Sequence, residues 1–217
     1  GSILEIGCSS GYFANRLKAK AKYVCGLDVS GEHIDAARRR YPGIDFRTIE
    51  EDARLPFSEA AFDAVVMLEV YKHVKDREKL IQEVFRVLKP DGLLILSTPN
   101  KGLFRFLDAY NLKMRFRKIF PRMAERMESR VEKYEETQFT GNLSWHGHFS
   151  LDEIRDVLAG SFEIEGVHRG GLVLFPLLAV FRGIVVRTIR SKILFDFIVR
   201  VMNLEGRVPF GRFAYNL

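Results

Sequence analysis

The chain has 217 residues, 47% of them hydrophobic and 29% charged: enough for one sizeable core, and neither a disordered nor a membrane-spanning composition. Its two cysteines, Cys8 and Cys25, sit inside apolar segments and read as buried reduced thiols, not as a disulfide or a metal site, which suits a cytoplasmic protein. The net charge of +6 is uneven, because residues 101–133 hold ten Lys and Arg against four Asp and Glu; this segment is either a module for an anionic partner or membrane surface, or a solvated helical face.

In chain order, "SILEI" predicts a strand, "GYFANRLKAKAK" a helix, "YVCGLDV" a second strand and "GEHIDAARRRY" a helix that Pro42-Gly43 ends. "IDFRTIE" reads as a third strand. "FDAVVMLEV" reads as a fourth, apolar almost throughout as a parallel strand buried on both faces should be. "REKLIQEVFRVLK" has apolar residues at helical spacing, and Pro90-Asp91-Gly92 turns it into a fifth strand, "LLILSTP". Strands alternating with helices imply a parallel sheet with right-handed crossovers. Residues 101–145 interrupt the alternation with a basic, aromatic helical insert. It returns with "SLDEIRDVLAGS", where Ser150 and Glu153 form a capping box, and with "FEIEGVH", a sixth strand. Residues 170–206 form a second insert, apolar but punctuated by arginines, in which 171–186 is too short between charges to span a membrane. It reads as a helix covering the core or as an interfacial amphipathic helix. The chain opens on strand-like sequence without a signal-peptide pattern, and "RFAYNL" at its end reads as an interrupted strand, so both ends read as trimmed.

In an open parallel sheet, ligands bind beyond the carboxyl ends of the strands. Gly7, Ser9 and Gly11 lie there after the first strand, Asp28 after the second, Asp52 after the third, Glu69 after the fourth, and Thr98 and Asn100 after the fifth. A dinucleotide fold would want Gly-x-Gly-x-x-Gly; here the spacing is Gly7-x-Ser9-x-Gly11, with Glu5 two residues before the first glycine. In "LEIGCSSG", "GLDVS", "EEDARLPFSEAAFDAVVMLEVYKHV" and "RVLKPDGLLILSTPN", and again in "HGHFSLDEIRDVLAGSFEIEGV", the sequence resembles the class I S-adenosylmethionine-dependent methyltransferases, of the type 11 kind that act on small molecules. The resemblance covers nearly all of residues 2–100 and 146–168, with Ser9 in place of the usual middle glycine.

That resemblance implies a Rossmann-like, doubly wound α/β fold. Its mostly parallel sheet would have seven strands, the last antiparallel, with helical insertions after strands 5 and 6 in a single domain over 1–217. It also implies S-adenosylmethionine as cofactor. Glu5, Gly7, Ser9 and Gly11 would shape the methionine end of the pocket, Asp28 would hold the ribose hydroxyls, and Asp52 with Ala53 would face the adenine. Cys8, Val29 and Glu69 complete the implied cofactor-binding set. If the nucleophile arrives protonated, His73, His146 and His148 are the candidate bases, although each could equally order its own segment. Quinone-type O-methyltransferases carry a second glutamate before the histidine and use a divalent metal. Here Lys72 stands at that position, so no metal is expected.

"MLEV" replaces the Asn/Asp-Pro-Pro-aromatic motif of nucleic-acid amino methyltransferases, so DNA is not an expected partner. The basic insert leaves an RNA-directed enzyme open as an alternative without any readable RNA module. Both inserts mix large apolar residues with Arg and Lys. A lid of that composition suits a small or amphiphilic acceptor, lipid-linked or prenylated, with methylation at oxygen and peripheral membrane contact. The competing readings are helical caps with a homodimer interface, and a non-catalytic S-adenosylmethionine-binding scaffold.

Overall fold

The computed structural model describes residues 1–51, 54–101 and 147–170, with positions 115, 118, 119, 121, 200 and 201. Most of both inserts, the segment 171–186 and the closing "RFAYNL" lie outside the described residues. The chain divides into two compact units, one of Gly1–Thr98, Glu132–Asn142 and Asp156–Glu163, the other of Pro99–Val131, Leu143–Arg155 and Ile164–Leu217.

The first unit holds the sheet. Its strands are β1 (Ser2–Ile6), β2 (Tyr23–Asp28), β3 (Asp45–Thr48), β4 (Phe62–Leu68) and β5 (Leu88–Ser97), interleaved with α1 (Tyr12–Leu17), α2 (Gly31–Arg40) and α3 (Arg77–Val87). The spatial order is β3-β2-β1-β4-β5, and every pairing is parallel. The chain therefore builds outward from β1 through β2 to β3, then crosses back to lay β4 on the other side of β1. The crossover direction reverses between β1 and β4, where an open sheet of this kind leaves a crevice at its carboxyl edge.

The strands read as expected because both faces are covered: Leu4, Cys25, Leu27, Val65, Val66 and Met67 are buried. On one face Ile34 and Ala37 of α2 and Ala14 of α1 pack with Val24, Ile44, Phe46 and Cys8. The helix starts are capped as their sequences dictate. Ser30 Oγ accepts from the His33 amide at 3.3 Å, and Asp76 Oδ1 from the Lys79 amide at 3.0 Å.

Three expectations need correction. The first helix ends at Leu17 and does not run to Lys22, since the lysine-rich remainder has little to bury and the Lys22 and Tyr23 amides bond to Gly1 O (2.9 and 3.3 Å) to start β2. The fifth strand begins at Leu88, with Pro90-Asp91-Gly92 inside it as a bulge: Phe62 pairs with Leu88 but Ala64 with Leu93, and Asp91 takes up the extra length at φ 60°. Among the described residues no sixth strand is found over 162–168. A strand needs a ladder partner, and among the described residues none lies alongside "FEIEGVH", whose Ile164 and Val167 stay exposed.

In the second unit, Phe149 N donates to Pro99 O (2.9 Å) and Lys101 N to Phe149 O (3.0 Å). The next helix, α4 (Leu151–Leu158), starts with the expected capping box: Glu153 N donates to Ser150 Oγ (3.2 Å), and Ser150 N to Glu153 Oε2 (2.7 Å). Lys101 pairs with the same Glu153 carboxylate, which holds that carboxyl below its usual range, chiefly through the Lys101 hydrogen bond. Among the described residues no helix is long and apolar enough to cross a membrane.

Candidate functional site

The loop between β1 and α1 turns by repeated left-handed residues, Gly7 at φ 75°, Ser9 at φ 47° and Gly11 at φ 77°. The amides of Gly7 and Cys8 both donate to Leu27 O (2.7 and 2.9 Å), so the loop is pinned to the end of β2. Asp28 tightens the same junction. Its Oδ2 accepts from the Ser9 amide at 2.8 Å and its Oδ1 from the Ser30 amide at 2.9 Å, with His33 Nδ1 at 3.9 Å. One carboxylate, 12% exposed, thus ties together the loops that follow β1 and β2. Each oxygen keeps lone-pair capacity beyond the amide it accepts from, and Val29 beside it presents apolar surface to solvent, 59% exposed.

The glycines also permit close packing within the fold. A Cβ on Gly7 would lie 2.1 Å from Val70 Cγ2, and one on Gly11 2.5 Å from the Phe46 ring. Gly11 lets α1 close against β3, and Gly7 lets the β1 loop meet the turn after β4. Those two contacts, which depend on strand order, are absent from any local reading of "GCSSG".

Glu5 is the unusual group. Near the end of the central strand, its side chain is 4% exposed, and Oε2 is buried without a hydrogen-bond partner. Burial pushes its carboxyl up to about 8, against a lowering by the Ala14 amide and with a smaller upward push from Asp28. Cys8, packed in the core beside it, is also pushed up by burial and is chemically quiet.

After β4 the chain passes through Glu69 at φ 61° into a short helical turn, Tyr71–His73. Both carboxylate oxygens of Glu69 are engaged. Ser97 Oγ donates to its Oε1 at 3.0 Å and Lys72 Nζ to its Oε2 at 3.0 Å, while its own amide bonds to Ser97 O at 3.1 Å. The Lys72 side chain is 11% exposed and that of Glu69 41%. At the end of β5, Thr98 is fully buried, with Oγ1 lacking a partner.

His73 is exposed on this turn, its amide bonded to Val70 O at 2.8 Å. His148 belongs to the second unit, two residues before the α4 cap. Asp52, Ala53 and His146 lie outside the described residues. Among the described residues no three His, Cys, Asp or Glu side chains converge as a metal site. A groove of about 420 Å³ lined by Lys18, Lys22, Tyr23 and Asp45 lies at the amino ends of β2 and β3, the opposite edge from Asp28 and Glu69.

The chain's relatives share this part of it. Residues 4–96 match a family model described as "Methyltransferase domain". A Mycolicibacterium smegmatis protein named "Probable S-adenosylmethionine-dependent methyltransferase" is 39% identical over 102 residues, 47% of this chain and 39% of that protein. A "Ubiquinone biosynthesis O-methyltransferase" of Paracidovorax citrulli is 30% identical over 110 residues, 48% of this chain and 46% of its own length. Among solved structures, the YcgJ protein of a Bacillus superposes with a TM-score of 0.53 at 22% identity, over 74% of this chain and 60% of that one, a likeness of fold. The matches to the two curated relatives thus span less than half the length of each.

Proposed function

We propose that this chain, which carries a class I S-adenosylmethionine-dependent methyltransferase domain over residues 4–96, transfers methyl groups to an oxygen of a small or amphiphilic acceptor. The observation that carries the reading is the pairing of an orphaned buried carboxylate oxygen on Glu5 with the Asp28 tie across the adjacent strand ends. An amino-acid tail brings an ammonium, the donor that Glu5 Oε2 lacks. A ribose brings a diol, which the remaining acceptor capacity of Asp28 suits, and Val29 offers an adenine its exposed apolar face. The residues present therefore fit the cofactor of this family.

Bound there, S-adenosylmethionine supplies an electrophilic methyl group on a sulfonium. The chain's contribution is alignment. Asp28, held by the loop amide of Ser9, fixes the nucleoside end, and Glu5 fixes the amino-acid end. Holding reactants in line is worth up to roughly 7–11 kcal/mol in well-oriented systems. Because the Glu5 carboxyl is pushed up to about 8, it holds its proton at neutral pH and gives it up when an ammonium arrives.

Oxygen as the target is supported by the name of the Paracidovorax citrulli relative, and an amphiphilic acceptor by the apolar and cationic residues of 101–145 and 170–206. The cofactor assignment is tested by calorimetry with S-adenosylhomocysteine. Wild type should bind, and D28A should lose roughly 100-fold or more in affinity because an anchoring carboxylate and the loop tie disappear together. Equal affinities would remove Asp28 from the site. Flotation with anionic liposomes tests the membrane side, where the full chain should co-float at low salt and be released at high salt.

A further inference from the structure

We propose that Lys72 recognises the methyl acceptor as an anion, its ammonium receiving a deprotonated acceptor oxygen such as a phenolate or carboxylate at the crevice between β1 and β4. This rests on the methyl-transfer reading above and names the acceptor's charge state. The position follows from topology. Lys72 lies on the turn that leaves β4 at the carboxyl edge, and Val70 of that turn packs against Gly7 of the β1 loop, so the turn and the proposed cofactor loop are direct neighbours.

The chemistry follows from how the pair with Glu69 is built. The Ser97 hydroxyl holds one Glu69 oxygen and the Lys72 ammonium the other, so the carboxylate is fixed by both of its oxygens. An ammonium has three donors, and Glu69 takes one. Glu69 is also the better solvated partner, 41% exposed against 11% for Lys72. Water therefore screens its charge more than it screens the cation's. The backbone at Glu69 is held at φ 61°, an unfavourable conformation for a residue other than glycine, of the kind that concentrates at functional sites.

An acceptor bound as its anion has already given its proton to solvent. The new O–CH3 bond then forms as the S–CH3 bond breaks and its electron pair passes to sulfur, and no protein base is required. That relieves His73, His146 and His148 of the role of base.

The test uses the full chain saturated with S-adenosylhomocysteine and 4-nitrophenol as the probe, followed by the absorbance of its phenolate. Wild type should move the phenolate titration to lower pH by roughly one unit, a tenfold change in ionisation ratio. K72M should abolish the shift and K72R should retain part of it, both with S-adenosylhomocysteine affinity within roughly twofold of wild type, the range left when a neighbouring rather than a contacting charge changes. Identical titrations in wild type and K72M, or no shift in wild type that binds S-adenosylhomocysteine, would overturn this inference alone. Failure of wild type to bind S-adenosylhomocysteine would overturn both readings. Should K72M not fold, K72Q takes its place: loss of the shift in folded K72Q with retention in K72R supports the inference, and a full shift in K72Q overturns it.

Discussion

Glu5 and Glu69 sit at the carboxyl ends of neighbouring parallel strands, yet their surroundings give them opposite chemistry. Glu5 is buried with one oxygen lacking a hydrogen-bond partner, and burial keeps it protonated at neutral pH. Glu69 is half open to solvent, with one oxygen accepting from Ser97 and the other from Lys72. An acid at a strand end is therefore not a role in itself. Its role depends on whether the fold leaves it short of a donor or supplies one.

The contrast is tested most sharply at Glu5. Its folded-state carboxyl lies above the ordinary value of 4.5, at about 8. The folded protein therefore keeps a proton that the unfolded chain has lost, and stability falls as pH rises between these values. The slope is up to about 1.4 kcal/mol per pH unit from this one group. Urea titrations of wild type and E5Q at pH 5 and pH 8 should show E5Q losing less stability, with the difference concentrated in that window. Parallel pH dependence in the two proteins would mean that Glu5 is not held in a dry, donor-poor setting. The smaller effect is at Glu69. E69Q keeps an acceptor for Ser97 but leaves the Lys72 ammonium without its anion, and should cost about 1–3 kcal/mol in the same assay. A cost within error would mean that the pair is loose and that Lys72 is already served elsewhere.

Much of this was legible in the sequence. The apolar run "FDAVVMLEV" and the Ser150–Glu153 box are local signals, and they mark a strand, which ends at Leu68, and a helix start where the structure has them. The placing of Asp28 beside the glycine loop also followed, because parallel β1 and β2 put their carboxyl ends side by side. What could not be read depends on which distant strand ends become neighbours. Val70 meets Gly7, and Ser97 meets Glu69, only because β4 lies between β1 and β5. The sequence marks Lys72 as a departure but does not show its burial. The bulge at Pro90-Asp91-Gly92 and the lack of a strand over 162–168 among the described residues escape a reading of the sequence for a related reason, since pairing is a property of two segments and the pattern lies in one.

The whole site turns on a cofactor ammonium completing Glu5 at the end of β1. Calorimetry of S-adenosylhomocysteine binding at pH 7, repeated in two buffers of different ionisation enthalpy, counts the protons exchanged. Wild type should release close to one proton and E5Q none, and E5Q should bind more weakly by roughly 10-fold or more. Binding to wild type without proton release, or E5Q binding as tightly as wild type, would contradict that role for Glu5.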